Sequence, residues 1–531
     1  MLNGPYCAAE ARPIIVDPVI HIEEMYIGGF EIMTRSIEKE GHLGECVVSR
    51  HGFKVNVAAS HRLSTWVVYG VLLFMLSGCV TSPVYTLSPP KPGQMSCNHP
   101  MNPKDTLIGI AVSGGGSRAA LFGAAGLEAL AKVQVGPAHS LLEDISMISS
   151  VSGGSMATSY FASTKPRKDV PILTASGELS TEYQTFFAQY KQTVNQDYEN
   201  PLFWRNMRNL RFFNPAWTAV SLTEHLNAQF LHELTFKDVR ERELSGEIPR
   251  LLINTTLYND GRRLVFTTLP HVQTQYDLLK DISRASGGVI RSKESVELMK
   301  EKWASLQSVT PQALNLDLCR IQLSAAVTAS MSFPPVVGPI TFKVEGEDRY
   351  WHAGDGGLSD NMGLESLATV ALNALQQKTA RRVLIIAFDS SFPFQVGSDR
   401  LDHFPEGFTL FNYDYGRIPG IMEERALAYR TLYFRTLAEQ GVLPDERQFK
   451  FLQLRHIDAV WKDDMSDLPK SCEDEKVKLA NPPMVTKRLA SVVTRLWLKS
   501  DCDRDLVAMA AAKLVEARKD EILKFLQQSP P

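Results

Sequence analysis

Ser150-Val151-Ser152-Gly153-Gly154 is the stretch of this chain with the clearest chemical content. A nucleophilic serine needs a tight strand-to-helix turn that lifts its Oγ out of a sheet beside a helix N-terminus. The residues two positions to either side must be small enough for the turn to close. Ser152 meets that pattern, with Ser150 standing where the first glycine of G-x-S-x-G usually stands. On its own the stretch is equally a Ser/Gly-rich loop capping a helix. Gly114-Gly115-Gly116 adds a run of backbone N–H groups. Aimed at a developing oxyanion, each such donor is worth about 10²–10³ in rate. No G-K-[ST] follows and the glycines lack G-x-G-x-x-G spacing, which separates this run from a phosphate-binding loop. Arg118 brings a fixed positive charge suited to a phosphate or carboxylate. Asp355, followed by Gly356-Gly357, is by itself an ordinary turn residue. Beside a serine elbow and a triple glycine it becomes the candidate general base.

These residues need elements to carry them. Residues 107–112 form a short apolar run that reads as a buried parallel strand, and it ends at the glycine run, after which 119–130 reads as a helix. A second strand over 145–149 runs into the serine elbow and a small-residue helix over 155–162. Further strands are expected at 250–256, 263–268, 316–323 and 383–388. Strand, glycine-rich turn and helix in repetition is the grammar of an α/β domain with a mostly parallel sheet, in which ligands gather at the C-terminal ends of strands. Residues 180–245 are rich in aromatics and helical in character, a stretch that could be subdomain core or a lid or membrane-docking surface, and 484–526 carries apolar positions at helical spacing.

Taken together, Ser113-Gly114-Gly115-Gly116-Ser117-Arg118, Ser152-Gly153-Gly154 and Asp355-Gly356-Gly357 resemble the patatin-like phospholipase family. The first two blocks also resemble the catalytic module of cytosolic group-IV phospholipases. Residues 326–335 and Asp360-Asn361-Met362-Gly363 are similar to further short blocks of the family. The resemblance implies a three-layer α/β fold with a central, mostly parallel sheet, extended by a helical insertion at about 180–245 and a C-terminal helical region. It implies a lipid acyl hydrolase, of phospholipase A or lysophospholipase type, using a Ser–Asp dyad without histidine. Ser152 would attack the ester, Asp355 would take its proton, and Gly114, Gly115, Gly116 and Gly153 would form the oxyanion hole. Arg118 would steady the lipid phosphate. The chemistry calls for no metal and no cofactor. The rivals are a Ser–His–Asp α/β-hydrolase, with His352, His403 or His456 as base, and a non-catalytic lipid-binding lipoprotein.

Composition agrees with an enzyme body. At 531 residues the chain exceeds a single hydrophobic core. Its 56 Lys+Arg against 59 Asp+Glu leave no basic field for nucleic acid. The seven cysteines include no CxxC pair, which argues against structural zinc. One segment departs from this average: 66–76 is an 11-residue apolar run inside an uncharged stretch from 63 to 90. That is the length of a signal-peptide core rather than of a spanning helix. Leu76-Ser77-Gly78-Cys79 follows and resembles the bacterial lipobox, whose cysteine is acylated and becomes the new N-terminus. Residues 1–50, with four Lys/Arg against eight Asp/Glu, do not suit a signal n-region, so initiation is expected downstream. The expected organisation is therefore 1–78 extension and signal, 79–104 Pro-rich tether, 105–395 catalytic domain and 396–531 C-terminal region. The lipid-anchored protein would sit in a bacterial envelope, on the outer membrane facing the periplasm. In an oxidising compartment Cys97, Cys319, Cys472 and Cys502 allow three pairings, of which Cys472–Cys502 is preferred.

Overall fold

Alternation along two strands builds the layers of this protein. In β2 (Lys104–Val112), Ile108, Ile110 and Val112 enter one apolar cluster, while Leu107 and Ala111 enter another on the opposite face. The same division recurs in β8 (Ala380–Asp389), where Leu384, Ile386 and Phe388 point one way and Val383, Ile385 and Ala387 the other. A strand buried on both faces reads as a continuous apolar run, and this is why both were legible. The computed structural model describes residues 82–528, apart from 91–92, 94–95, 210, 212–213, 286–292, 335 and most of 392–440. Cys79, the apolar run before it and residues 1–50 lie outside the described residues.

The sheet has nine strands. In chain order they are β1 (Val84–Leu87), β2, β3 (Ile145–Val151), β4 (Arg250–Leu257), β5 (Arg263–Phe266), β6 (Ile340–Val344), β7 (Tyr350–Asp355), β8 and β9 (Phe449–Arg455). Their order across the sheet is β1-β6-β7-β4-β3-β2-β8-β9, with β5 also paired to β4. The central run β4-β3-β2-β8-β9 is parallel throughout. Among the described residues of this sheet, antiparallel pairing is confined to β4–β5, β4–β7 and β6–β7. On one face lie α1 (Gly116–Ala131) and α2 (Gly153–Thr164), whose residues join Ile108, Ile110 and Val112 in one cluster. The insertion supplies α3 (Thr181–Val194), α4 (Glu199–Arg208), α5 (Pro215–Leu226) and α6 (Phe236–Leu244). Phe186, Phe187 and Tyr190 of α3 are buried against Tyr160 and Phe161 of α2, so much of the aromatic stretch is core. The sequence continues through α7 (Leu323–Ser330) to α8 (Leu364–Gln376), which covers the opposite face with Leu367, Val370 and Ala371. Beyond β9 come α9 (Pro482–Ser491) and α10 (Asp501–Gln527).

Three expectations are corrected. Residues 316–323 are not a strand: Asp317 accepts a hydrogen bond from the Cys319 N–H at 3.1 Å, starting a short 3-10 turn that leads into α7. The tether at 79–104 is partly sheet, because Val84–Leu87 pairs in parallel with β6 and Tyr85 packs on Phe342 with ring centroids 5.8 Å apart. The C-terminal region is not only helical, since Phe449–Arg455 adds the edge strand beside β8. Its mixed polar and apolar sequence has the look of a surface segment, and only pairing with β8 makes it a strand.

Two disulfides, Cys97–Cys319 and the preferred Cys472–Cys502, tie these additions down. Cys472→Ser is expected to lower stability by about 2–4 kcal/mol in denaturant unfolding under oxidising conditions, and to change nothing in reductant.

Candidate active site

Backbone register brings the two central residues together. Val151, the last residue of β3, pairs with Asn254 of β4; the next residue of β4, Thr255, pairs with Asp355 of β7. Ser152 follows Val151 and sits at φ 50°, ψ −121°, a sharp turn that a non-glycine residue adopts only when its surroundings hold it there. It is the N-cap of α2. A side chain on Gly153 would place its Cβ 1.9 Å from the Gly116 carbonyl oxygen, so only glycine lets the elbow meet the glycine run.

Hydroxyl groups hold the elbow from below. The Ser152 N–H donates to Ser330 Oγ at 2.9 Å, and Ser330 Oγ donates to the Asn254 carbonyl at 2.6 Å. Ser150, in place of the usual glycine, is buried and accepts from Thr158 Oγ1 at 2.8 Å and Ser155 Oγ at 3.2 Å. The departure from the usual pattern is thus matched by two hydroxyls on the first turns of α2. Asn254 Nδ2 donates to Ser149 Oγ at 2.8 Å and to the Ser150 carbonyl at 2.9 Å. Ser330 and Asn254 were missed as site residues. Ser330 lies in the 326–335 block, which pointed to the neighbourhood, whereas nothing in the sequence marked Asn254 apart from its strand.

Asp355 is buried, its carboxylate accepts from the Gly357 N–H at 2.7 Å, and the Ser152 hydroxyl lies on its side of the elbow. Burial pushes its pKa up to about 7, against the lowering effect of the Gly357 N–H and the neighbouring Ser152 hydroxyl. A carboxyl group with that pKa, beside a serine on a strained elbow, can take up and return a proton near neutral pH. The Asp355 N–H is fixed by the Ser332 carbonyl at 3.0 Å, and the Gly356 N–H faces the Ser330 carbonyl at 3.4 Å. One short segment, 330–332, therefore supports both members of the pair.

The glycine run lies against Ser152. Gly114 is not a free oxyanion donor: its N–H is bound to the Asn361 carbonyl at 2.8 Å. Among the described residues, the N–H groups of Gly115, Gly116 and Gly153 make no hydrogen bond to protein, and these three remain to receive a charge. The Asp360–Gly363 block packs beneath the site, with Asp360 Oδ2 accepting from the Glu365 N–H at 2.7 Å and the Gly363 carbonyl accepting from Ser149 Oγ at 2.6 Å.

Arg118 is placed differently from expectation. It is fully buried, and its guanidinium donates to the Ser390 carbonyl at 2.8 Å, to Ser390 Oγ at 3.2 Å, to Thr494 Oγ1 at 3.4 Å and to the Val492 carbonyl. The Ser117 N–H donates to the Arg495 carbonyl at 2.7 Å. The charge reserved for a phosphate instead binds the segment 492–495 to the start of α1, because a planar fork of donors satisfies several carbonyls at once. Arg118→Lys is expected to reduce turnover by roughly 10-fold on phosphate-free esters and phospholipids alike, as a loss of fixed geometry would. Comparing kcat and KM on the two substrate classes checks this; a KM increase restricted to phospholipids would restore the phosphate role.

Two histidines of the rival triad, His352 and His456, are engaged away from Asp355. His352 is three strand positions from Asp355 and on the other face, and its Nδ1 meets Thr341 Oγ1 at 3.0 Å. His456 is buried beside Phe122, with its Nδ1 3.3 Å from the Asp389 carbonyl, and burial with the nearby Arg118 charge lowers its pKa to about 3. His403 lies outside the described residues.

The site joins a strained serine elbow, a buried aspartic acid and a glycine run at the C-terminal edge of the central sheet. Residues 110–368 match the patatin-like phospholipase family, and this domain of the chain belongs to it. Among solved structures, the chain is similar to human GIVD cytosolic phospholipase A2, at 12% identity and a TM-score of 0.40, over 79% of this chain and 60% of that one. The same enzyme in complex with methyl gamma-linolenyl fluorophosphonate gives 14% identity and a TM-score of 0.38, over 80% and 59%. VipD from Legionella pneumophila gives 11% identity and a TM-score of 0.22, over 77% and 70%. The chain thus spans about 60% of the length of the human enzyme. No curated protein matches the sequence.

Proposed function

We propose that this protein is a lipid-anchored serine acyl hydrolase of phospholipase A or lysophospholipase type, working through a Ser152–Asp355 dyad. The reading is carried by the placement of Ser152, on its strained elbow, beside a buried Asp355 whose pKa is raised to about 7. Ser152 Oγ attacks the ester carbonyl as its proton passes to Asp355. The oxyanion is received by the N–H groups of Gly115, Gly116 and Gly153. Collapse breaks the ester C–O bond, and the proton on Asp355 goes to the departing alcohol. Water then attacks the acyl-serine, gives its proton to Asp355, and the freed Ser152 recovers a proton as the fatty acid leaves. Arg118 is not assigned to the phosphate in this scheme.

The membrane attachment rests on the lipobox-like Leu76-Ser77-Gly78-Cys79. The protein then begins at Cys79, which carries the acyl anchor, in a bacterial envelope and on the outer membrane facing the periplasm. A single acyl chain gives only reversible binding, so a stable anchor takes a second membrane signal.

Labelling of the folded protein with a fluorophosphonate probe tests the nucleophile, with Ser152→Ala as control. No labelling, or labelling that survives in Ser152→Ala, removes the hydrolase reading and favours a lipid-binding lipoprotein. Mass spectrometry of the N-terminal peptide tests the anchor: an unmodified Cys79, or peptides from residues 1–50, removes it.

A further inference from the structure

Helix α4 (Glu199–Arg208) connects the two sides of the site. At its N-terminal end Glu199 Oε1 accepts from the Leu496 N–H at 3.2 Å, and the neighbouring Arg495 carbonyl accepts from Ser117 beside the glycine run. Past its other end α5 begins at Pro215, whose carbonyl accepts from the Gly338 N–H at 2.8 Å. Gly338 closes the loop that starts at Ser332, the residue holding the Asp355 N–H. The helix therefore runs from the oxyanion side toward the Asp355 side.

Its two faces differ sharply. Leu202 and Asn206 are buried, and Asn206 Nδ2 is bonded to Thr218 Oγ1 of α5 at 3.2 Å. The outer face presents Phe203, Trp204 and Met207 at 45%, 67% and 47% exposure, the two rings in edge-on contact at 5.4 Å. Val336, on the loop that ends at Gly338, is 66% exposed. Two stretches of this surface carry cations alone, while Glu199 opens the helix and Asp501 follows the second stretch. Residues 200–209 include Arg205 and Arg208 and no carboxylate, and 492–499 include Arg495 and Lys499 and no carboxylate, in a chain whose net charge is −3. Arg208, Arg495 and Lys499 are exposed, whereas Arg205 faces Glu224 at 3.5 Å.

We propose that this surface docks on a bilayer containing anionic phospholipid, with Phe203, Trp204 and Met207 entering the headgroup region and Arg208, Arg495 and Lys499 meeting its phosphates. Exposed aromatic side chains beside exposed cations suit the polar–apolar boundary of a membrane. Each cation near an anionic surface adds to the binding, a contribution that salt weakens. This deepens the acyl hydrolase reading, on which it rests: docking here would set the mouth between the glycine run and Asp355 against the lipid it consumes.

The test uses the full chain carrying Cys79→Ser, so that no acyl anchor contributes, with vesicles of phosphatidylcholine alone or with phosphatidylglycerol. Partition measured by flotation is expected to favour the phosphatidylglycerol vesicles, to weaken with salt, and to fall roughly 10-fold or more in Phe203→Ser/Trp204→Ser. Arg208→Gln/Lys499→Gln is expected to remove the preference for anionic lipid. Hydrolysis of vesicle lipid should fall with the partition, while a soluble short-chain ester and fluorophosphonate labelling stay unchanged. Equal partition of wild type and the aromatic variant overturns the proposal. So does an equal loss on the soluble ester, or a concentration-dependent dimer in light scattering that the variant abolishes without vesicle binding. Vesicle binding that depends on these side chains in a protein that neither labels nor hydrolyses supports the surface and rejects the hydrolase reading, so the two are separable.

Discussion

Ser152→Ala is expected to reduce hydrolysis of defined phospholipids and lysophospholipids by about 10⁴–10⁶-fold, the scale seen when a covalent nucleophile is removed. The products, read by mass spectrometry, would also give the acyl position that the wild-type protein cleaves. The substitution deletes one oxygen from a half-buried position and leaves the Ser152 N–H bonded to Ser330 Oγ, so the fold should persist. A strained φ of 50° carries some cost for alanine as for serine, and stability should change little. Loss of activity with an unchanged melting temperature would isolate the chemistry. Residual activity within 10-fold of wild type would mean that another residue is the nucleophile.

Asp355→Asn is expected to cost about 10³–10⁴ in kcat, because an amide in that place cannot hold the proton of the Ser152 hydroxyl. In the wild-type protein kcat/KM should rise with pH through an apparent pKa near 7, since the base must be ionised. The sign for stability runs the other way. The folded pKa of about 7 lies above the value near 3.9 of an unfolded aspartate, so the fold prefers the protonated carboxyl. That preference stabilises fully below about pH 4 and is lost as pH rises toward and through 7. At pH 8 the buried carboxylate is a burden that asparagine does not carry. Asp355→Asn should therefore melt several degrees above wild type at pH 8 and near it at pH 5. An acid limb centred near pH 4, or a variant that is no more stable at pH 8, would show that Asp355 is not the buried base described here.

Legibility followed burial. The runs at 107–112 and 383–388 are apolar at nearly every position because both faces of their strands are covered, and such strands announce themselves. Val84–Leu87, Ile340–Val344 and Phe449–Arg455 are short or lie at or near a sheet edge, with a mixed pattern that pairing alone turns into strand. The catalytic blocks were readable because turn geometry restricts residue type: Gly153 meets the Gly116 carbonyl too closely for any side chain, and Ser152 must tolerate a positive φ. Residue type could not say where a long side chain reaches. Arg118 has the charge for a phosphate, but its guanidinium is taken by Ser390, Val492 and Thr494, contacts with residues hundreds of positions away.

The amino-acid sequence by itself determined the α/β class, the serine elbow, the glycine run and the aspartate, because each depends on local backbone geometry or on strands buried on both faces. Only the tertiary structure decided that Asp355 lies one strand position from the elbow, that Ser330 braces Ser152, that Gly114 is occupied and that Arg118 faces inward. It also decided which aromatics of the insertion became core and which, on α4, stayed at the surface. These are outcomes of register and packing between distant segments, and no spacing along the chain encodes them.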